Sequence, residues 1–150
     1  MANFTIAMEF IISQGGEHLR KFSKGVSIGI RLLDAVVDEL FRHDDPAAIF
    51  TYRTLYDSVN SRLDQIALLL AKRVQDQGYQ AYPIPASQRN AFNKLIGTIS
   101  HKLAASLSDL GWIGKSCLLI TPKYGPRVRF GTILTNTSPD SGRTNRYDLW

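Results

Sequence analysis

The chain has 150 residues, of which 44% are hydrophobic and 21% charged, with a formal net charge of +5. That length suits one domain with a substantial core, and the balance is that of a globular chain rather than a disordered or fibrous one. No apolar run reaches the ~18 residues of a membrane span, and the apolar start has neither a preceding basic residue nor an Ala-x-Ala site, which argues against a signal peptide.

The charge is unevenly spread. Residues 1–85 hold nine Lys/Arg against ten Asp/Glu, whereas residues 86–150 hold nine against three. The second half therefore carries a positive field, which favours phosphates, carboxylates or nucleic acid. Cys117 is the single cysteine. One thiol makes no intrachain disulfide and holds no iron–sulfur cluster, and a reducing cytoplasm is the expected location. His18, His43 and His101 are scattered and lack metal-ligand spacing, so no metal site is expected.

In chain order, residues 3–12 form an apolar stretch that fits a short strand or the first turns of a helix equally well. Val26 to Ile30 alternates apolar and small residues, as a half-buried strand does. Gly29 there invites close packing by another element or a ligand. Residues 32–41 have helical spacing, with Leu33, Val36, Val37 and Leu40 on one face. Asp44-Asp45-Pro46 reads as a cap with proline in the first turn. A long amphipathic helix follows over about 48–76, with Ile49, Tyr52, Leu55 or Tyr56, Val59, Leu63, Ile66, Leu70 and Val74 inward, and Gly78 ends it. Its aromatic stripe reads as core.

Tyr79 to Tyr82 alternates again as a short strand. Pro83 and Pro85 hold the next segment extended, so Pro85, Ala86 and Ser87 could lie against a planar ligand or simply form a rigid connector. Ser100 caps a helix over about 101–109, with Leu103, Ala104 and Leu107 inward. Residues 110–135 then run as a glycine-bracketed loop, an apolar strand, a Pro/Gly turn and a second strand, a β-hairpin-like pair. Residues 1–136 form the single domain, and 137–150 read as a polar surface tail. This element order predicts an α+β layered fold, with a mixed or antiparallel sheet packed by helices.

The glycine loop carries the candidate site. Backbone N–H groups at Gly111, Trp112, Gly114, Lys115 and Ser116, with the Lys115 and Arg127 cations, suit an anionic ligand group. Gly114-Lys115-Ser116 is not a P-loop, because Asp109 stands where the motif needs glycine and a strand follows instead of a helix. There is no GxGxxG motif. No nucleophilic triad assembles: Cys117 opens an apolar strand, where buried inert thiols are common. Tyr124, on the turn beside the loop, and His101 are the candidate proton donors. Nucleic-acid binding has only the basic second half behind it.

Leu110 to Ser116, Leu118 to Pro122, Tyr124 to Arg129 and Gly131 to Thr135 together closely resemble the core of the epoxyqueuosine reductase-like iron–sulfur proteins, relatives of the corrinoid reductive dehalogenases. Pro83 to Ser87, Ser100 to Ala105 and Val26 to Ile30 are similar to its neighbouring segments. The resemblance covers about residues 25–136 and implies a nitroreductase-like domain that holds cobalamin base-off, or alternatively a flavin, for reductive chemistry. In that family two four-cysteine clusters follow and supply electrons. Residues 137–150 contain no cysteine, so this chain holds no iron–sulfur cluster and a separate ferredoxin or iron–sulfur protein is the expected donor. The acidic proton donor of the family also lacks a counterpart, since Asn93 to Gly97 stand in its place. The other readings are a non-catalytic truncated paralogue acting as a partner protein and self-associating as a homodimer, and a weak RNA- or tRNA-binding module.

Overall fold

A computed structural model describes residues 2–5, 17–42, 44–86 and 99–137. A four-stranded sheet forms the middle layer. Its strands are β1 (Ala2–Thr5), β2 (Lys24–Arg31), β6 (Val128–Thr135) and β3 (Ala81–Ile84), in that spatial order. Every neighbouring pair is antiparallel. The two eight-residue strands, β2 and β6, are central and pair along their whole length, from Lys24 opposite Thr135 to Arg31 opposite Val128. The ambiguous apolar start of the chain thus enters the fold as a strand at its described residues. Pro83 lies in β3, an edge strand, where the missing N–H costs no inner ladder bond. The α+β expectation holds, and the sheet is antiparallel.

Strand alternation divides the core. Val26, Ile28 and Ile133 point to one face and pack against α2 (Pro46–Asp76). That helix presents Val59, Leu63, Ala67 and Ala71, one residue per turn. Leu63 is fully buried at the centre of this contact. Asp45 caps the helix by accepting the Ala47 N–H at 2.8 Å, Pro46 occupies its first turn, and Gly78 follows its end with φ +85°. The opposite face carries Phe130, Thr132 and Leu134. It is covered by α3 (His101–Leu107), by Leu19 and Phe22, and by Leu119. The result is a helix, a sheet, and a mixed third layer.

Four local expectations change. The helical reading of 32–41 resolves into the short α1 (Asp34–Asp38) and one 3-10 turn. Leu32 is buried in place of Leu33, which is 61% exposed, because the chain leaves β2 in extended form before turning. Ile49 is also exposed, since the first turn of α2 projects beyond the core. The short strand is Ala81–Ile84 rather than 79–82. Finally, α3 ends at Leu107 and turns Ala104 and Ala105 inward, leaving Leu107 exposed. It closes with a Schellman motif: Asp109 adopts φ 57°, its N–H reaches the Ser106 carbonyl, and the Leu110 N–H reaches Ala105.

The expected hairpin between the apolar strand and the last strand does not form. The apolar segment, β5 (Leu119–Ile120), pairs backwards with β4 (Trp112–Ile113), while β6 joins the main sheet. The cause is the turn chemistry. Gly114 accepts from Cys117, Lys115 and Ser116 form the turn, and Cys117 follows with φ 59°, a three-residue hairpin connection. Thr121 and Gly125 then close the Pro122 turn with two backbone bonds of 2.9 and 3.0 Å.

Candidate functional site

The glycine loop is a closed hairpin. The Gly114 N–H donates to the Leu118 carbonyl at 2.9 Å, and Trp112 and Ile113 are in the ladder with Ile120 and Leu119. Gly111 has a backbone reason: a Cβ there would meet the Ile120 carbonyl oxygen at 2.1 Å, so only glycine lets the two strands close. Gly114 leaves room for the Ile120 side chain in the same way. These glycines serve hairpin closure, and the Gly114 amide is used within the hairpin. Lys115 and Ser116 lie exposed at the hairpin turn, with Trp112 56% exposed beside them. Cys117 is exposed in that turn rather than buried in a strand.

Arg127 is committed elsewhere. It donates to Asp34 at 3.2 Å and to Asp38 at 2.6 Å. Both are residues of α1, so the pair ties that short helix to the start of β6. The Asp38 and Asp34 bonds also hold the guanidinium more firmly protonated than usual. Two carboxylates thus already pair with Arg127, the cation expected to contact an anionic ligand. Tyr124 does not face a cleft alone. The Arg31 guanidinium and the Lys123 ammonium lie 4.8 and 5.1 Å from its ring, and Arg31 also pairs with Asp34. Gly29 packs against Val128 and Phe130, so the close neighbour expected there is β6.

His101 is where distant segments meet. Its Nε2 lies 2.9 Å from the Pro85 carbonyl and its Nδ1 2.8 Å from the Thr132 hydroxyl. A carbonyl only accepts, so Nε2 carries the proton; the neutral ring then accepts at Nδ1 from Thr132, which is fully buried. Burial is the main force lowering the His101 pKa. The Pro85 carbonyl opposes it, the Arg129 charge lowers it further, and Asp64 raises it. The neighbouring Lys102 reaches the other way, donating to the Cys117 carbonyl at 2.6 Å. The Ala86 N–H donates to Asp64 of α2 at 2.8 Å, which fixes the Pro85–Ala86 segment. Adjacent residues at the start of α3 thus join the proline segment to the hairpin turn.

Of the expected site residues, this brings together Pro85, Ala86, His101 and the hairpin of Gly111, Trp112, Gly114, Lys115 and Ser116. It leaves Tyr124 and Arg127 in the separate cluster with α1. Ser87 lies outside the described residues, as do Asn93 to Gly97 and residues 138–150. Sequence reasoning missed Lys102, Thr132 and Asp64 in this junction. Thr132 was detectable in principle as a polar residue within an apolar strand. Among the described residues no group of three His, Cys, Asp or Glu side chains has metal-binding geometry, and no helix is long and apolar enough to cross a membrane.

A corrinoid would require partners for its amides and its phosphate. The Gly114 amide is taken by a hairpin bond, and the Pro85 carbonyl and Ala86 N–H are likewise engaged. What stays open at the junction is the exposed Trp112 and the Lys115–Ser116 turn. Compared with known proteins, the chain matches no family model, no curated protein and no solved structure.

Proposed function

We propose that this chain is a corrinoid-binding domain of the epoxyqueuosine reductase-like kind, taking electrons from a separate iron–sulfur protein of the ferredoxin class in a reducing cytoplasm. One observation carries the reading. Three sequence blocks that resemble that family, around Pro85, His101 and Gly111 to Ser116, lie far apart in the chain yet are joined through His101 and Lys102. The contact surface expected there is the exposed Trp112 side chain and the Lys115–Ser116 turn. His101 is held in place by two hydrogen bonds, so its role is to position the Pro85 segment, and no proton-transfer step is assigned to it.

The test is uptake of cobalamin, followed by visible absorbance and by co-elution in gel filtration. Binding at micromolar concentration is expected, with a loss of about tenfold in Trp112→Ala, equivalent to about 1.4 kcal/mol. Flavin mononucleotide is the second probe. If cobalamin produces no saturable change and does not co-elute, the reading fails.

A further inference from the structure

The β4–β5 hairpin has two unlike faces. Its register sets Trp112 opposite Ile120 and Ile113 opposite Leu119, and the Gly114 N–H continues the ladder to the Leu118 carbonyl. Directly opposed residues share a face, and so do residues two apart along a strand. Trp112, Ile120 and Leu118 therefore lie on one face, and Leu119 lies on the other. Leu119 is buried against Ala105 and Phe130, so its face is the inner one. The outer face is apolar yet open: Trp112 is 56% and Leu118 48% exposed, with Ile120 half-buried beside them.

The charge around this face is of one sign. Residues 110–125 contain Lys115 and Lys123 and no Asp or Glu, and Asp109 is the only acid within residues 99–137, against five Lys/Arg. Lys102 adds a cation at the hairpin turn. Its ammonium donates to the Cys117 carbonyl at 2.6 Å, a neutral acceptor, and has two further donors. The cations at the hairpin are thus lysines, whereas the arginines that follow are used within the fold. Arg127 pairs with Asp34 and Asp38, and Arg129 donates to Asn60 and stacks on the Tyr56 ring. That choice separates two kinds of partner. Arginine, with its planar fork, is the cation enriched at protein–protein contacts, and lysine is depleted there. Tryptophan beside lysine suits a bilayer surface. The indole sits at headgroup level, and lysine lays its stem along the apolar layer while its ammonium reaches the lipid phosphates. We propose that this face rests on the surface of an anionic phospholipid bilayer. Trp112 and Leu118 sit at the boundary between headgroups and acyl chains, with Lys115 and Lys102 on the lipid phosphates. The chain lies on the bilayer and does not cross it. A small apolar face and a few lysines are each marginal as anchors, so binding needs both. The inference uses the Trp112 also placed at the corrinoid junction but does not rest on that reading. Vesicle binding is measured without cobalamin, so either can fail alone.

The experiment sediments the full chain with phosphatidylcholine vesicles and, separately, with vesicles of which about one-third is phosphatidylserine. Trp112 and Trp150 are the two tryptophans of the chain, so Trp150→Phe leaves Trp112 as the sole indole reporter. Saturable binding to the anionic vesicles is expected, about tenfold or more stronger than to the neutral ones and weakened by sodium chloride. Trp112 emission should shift to the blue and be quenched by brominated acyl chains. Trp112→Ala should weaken binding about tenfold and Leu118→Ser about threefold. Lys115→Gln should weaken it about fivefold, the attraction due to one lysine. These side chains are exposed, so circular dichroism should be unchanged in all three variants. Absent binding, equal binding to neutral and anionic vesicles, or binding that Trp112→Ala and Lys115→Gln leave intact would overturn the inference. So would a dimer in gel filtration that is lost in Trp112→Ala, since a second copy would then cover the face.

Discussion

His101 makes a sharp prediction about pH. Its folded-state pKa lies below the ordinary value of 6.5, chiefly because the ring is buried. The unfolded chain therefore binds more protons than the folded one just below that value. Stability contributed by neutral His101 is complete above 6.5 and falls as the pH drops toward the folded pKa, below which it levels off. Within that window the slope is at most about 1.4 kcal/mol per pH unit. His101→Gln removes this slope. It also separates the ring from Thr132, whose buried hydroxyl then loses its partner, at a cost of about 1–3 kcal/mol near neutral pH. Pro85 is exposed, so water replaces the lost donor there at little cost. Urea denaturation of both proteins, followed by circular dichroism between about pH 8 and about pH 5, measures the difference. Every other group is common to both proteins, so the difference between the curves isolates position 101. The reasoning is refuted if the two curves stay parallel, or if wild-type stability rises relative to the variant as the pH falls below 6.5.

Two further outcomes follow from the backbone. Gly111→Ala should open the β4–β5 hairpin, because the added Cβ would sit 2.1 Å from the Ile120 carbonyl oxygen; loss of slow amide exchange at Gly114, with the main sheet intact, is the signature. Asp109→Gly should stabilise the fold by about 0.5–1 kcal/mol in urea denaturation, since glycine takes the positive φ of the Schellman motif without strain.

The middle of the fold is legible in the sequence where one period dominates. The apolar face of α2 repeats over many turns, and Asp45, Pro46 and Gly78 mark its ends. β2 is visible through the alternation of Val26, Ile28 and Ile30. The hairpin partner was hidden because Leu118 to Ile120 is apolar enough to pair with either neighbour. The decision lies in one unusual torsion at Cys117, a residue type that does not announce it. The position of the site was partly legible: Pro85, His101 and the glycine block do converge. Its chemistry was less so. Glycine and lysine suggested an open anion loop, but backbone closure accounts for the glycines and the Gly114 amide is engaged. The charge pairing of Arg127 with Asp34 and Asp38 spans about ninety residues of chain, and no local pattern encodes it. Asn60 left a clue, a polar residue one turn after Tyr56 on the inward face of α2. Reading it required knowing that Arg129 would lie opposite.

The proposed function requires a corrinoid to occupy the junction at the start of α3. Hydroxocobalamin is diamagnetic, so amide chemical shifts of the full chain can be followed during its titration. The predicted result is saturable perturbation of Ala86, Lys102, Trp112 and Lys115, with Asp34 and Asp38 unmoved. Perturbation that is absent, or scattered over the surface without saturation, would contradict the proposed function.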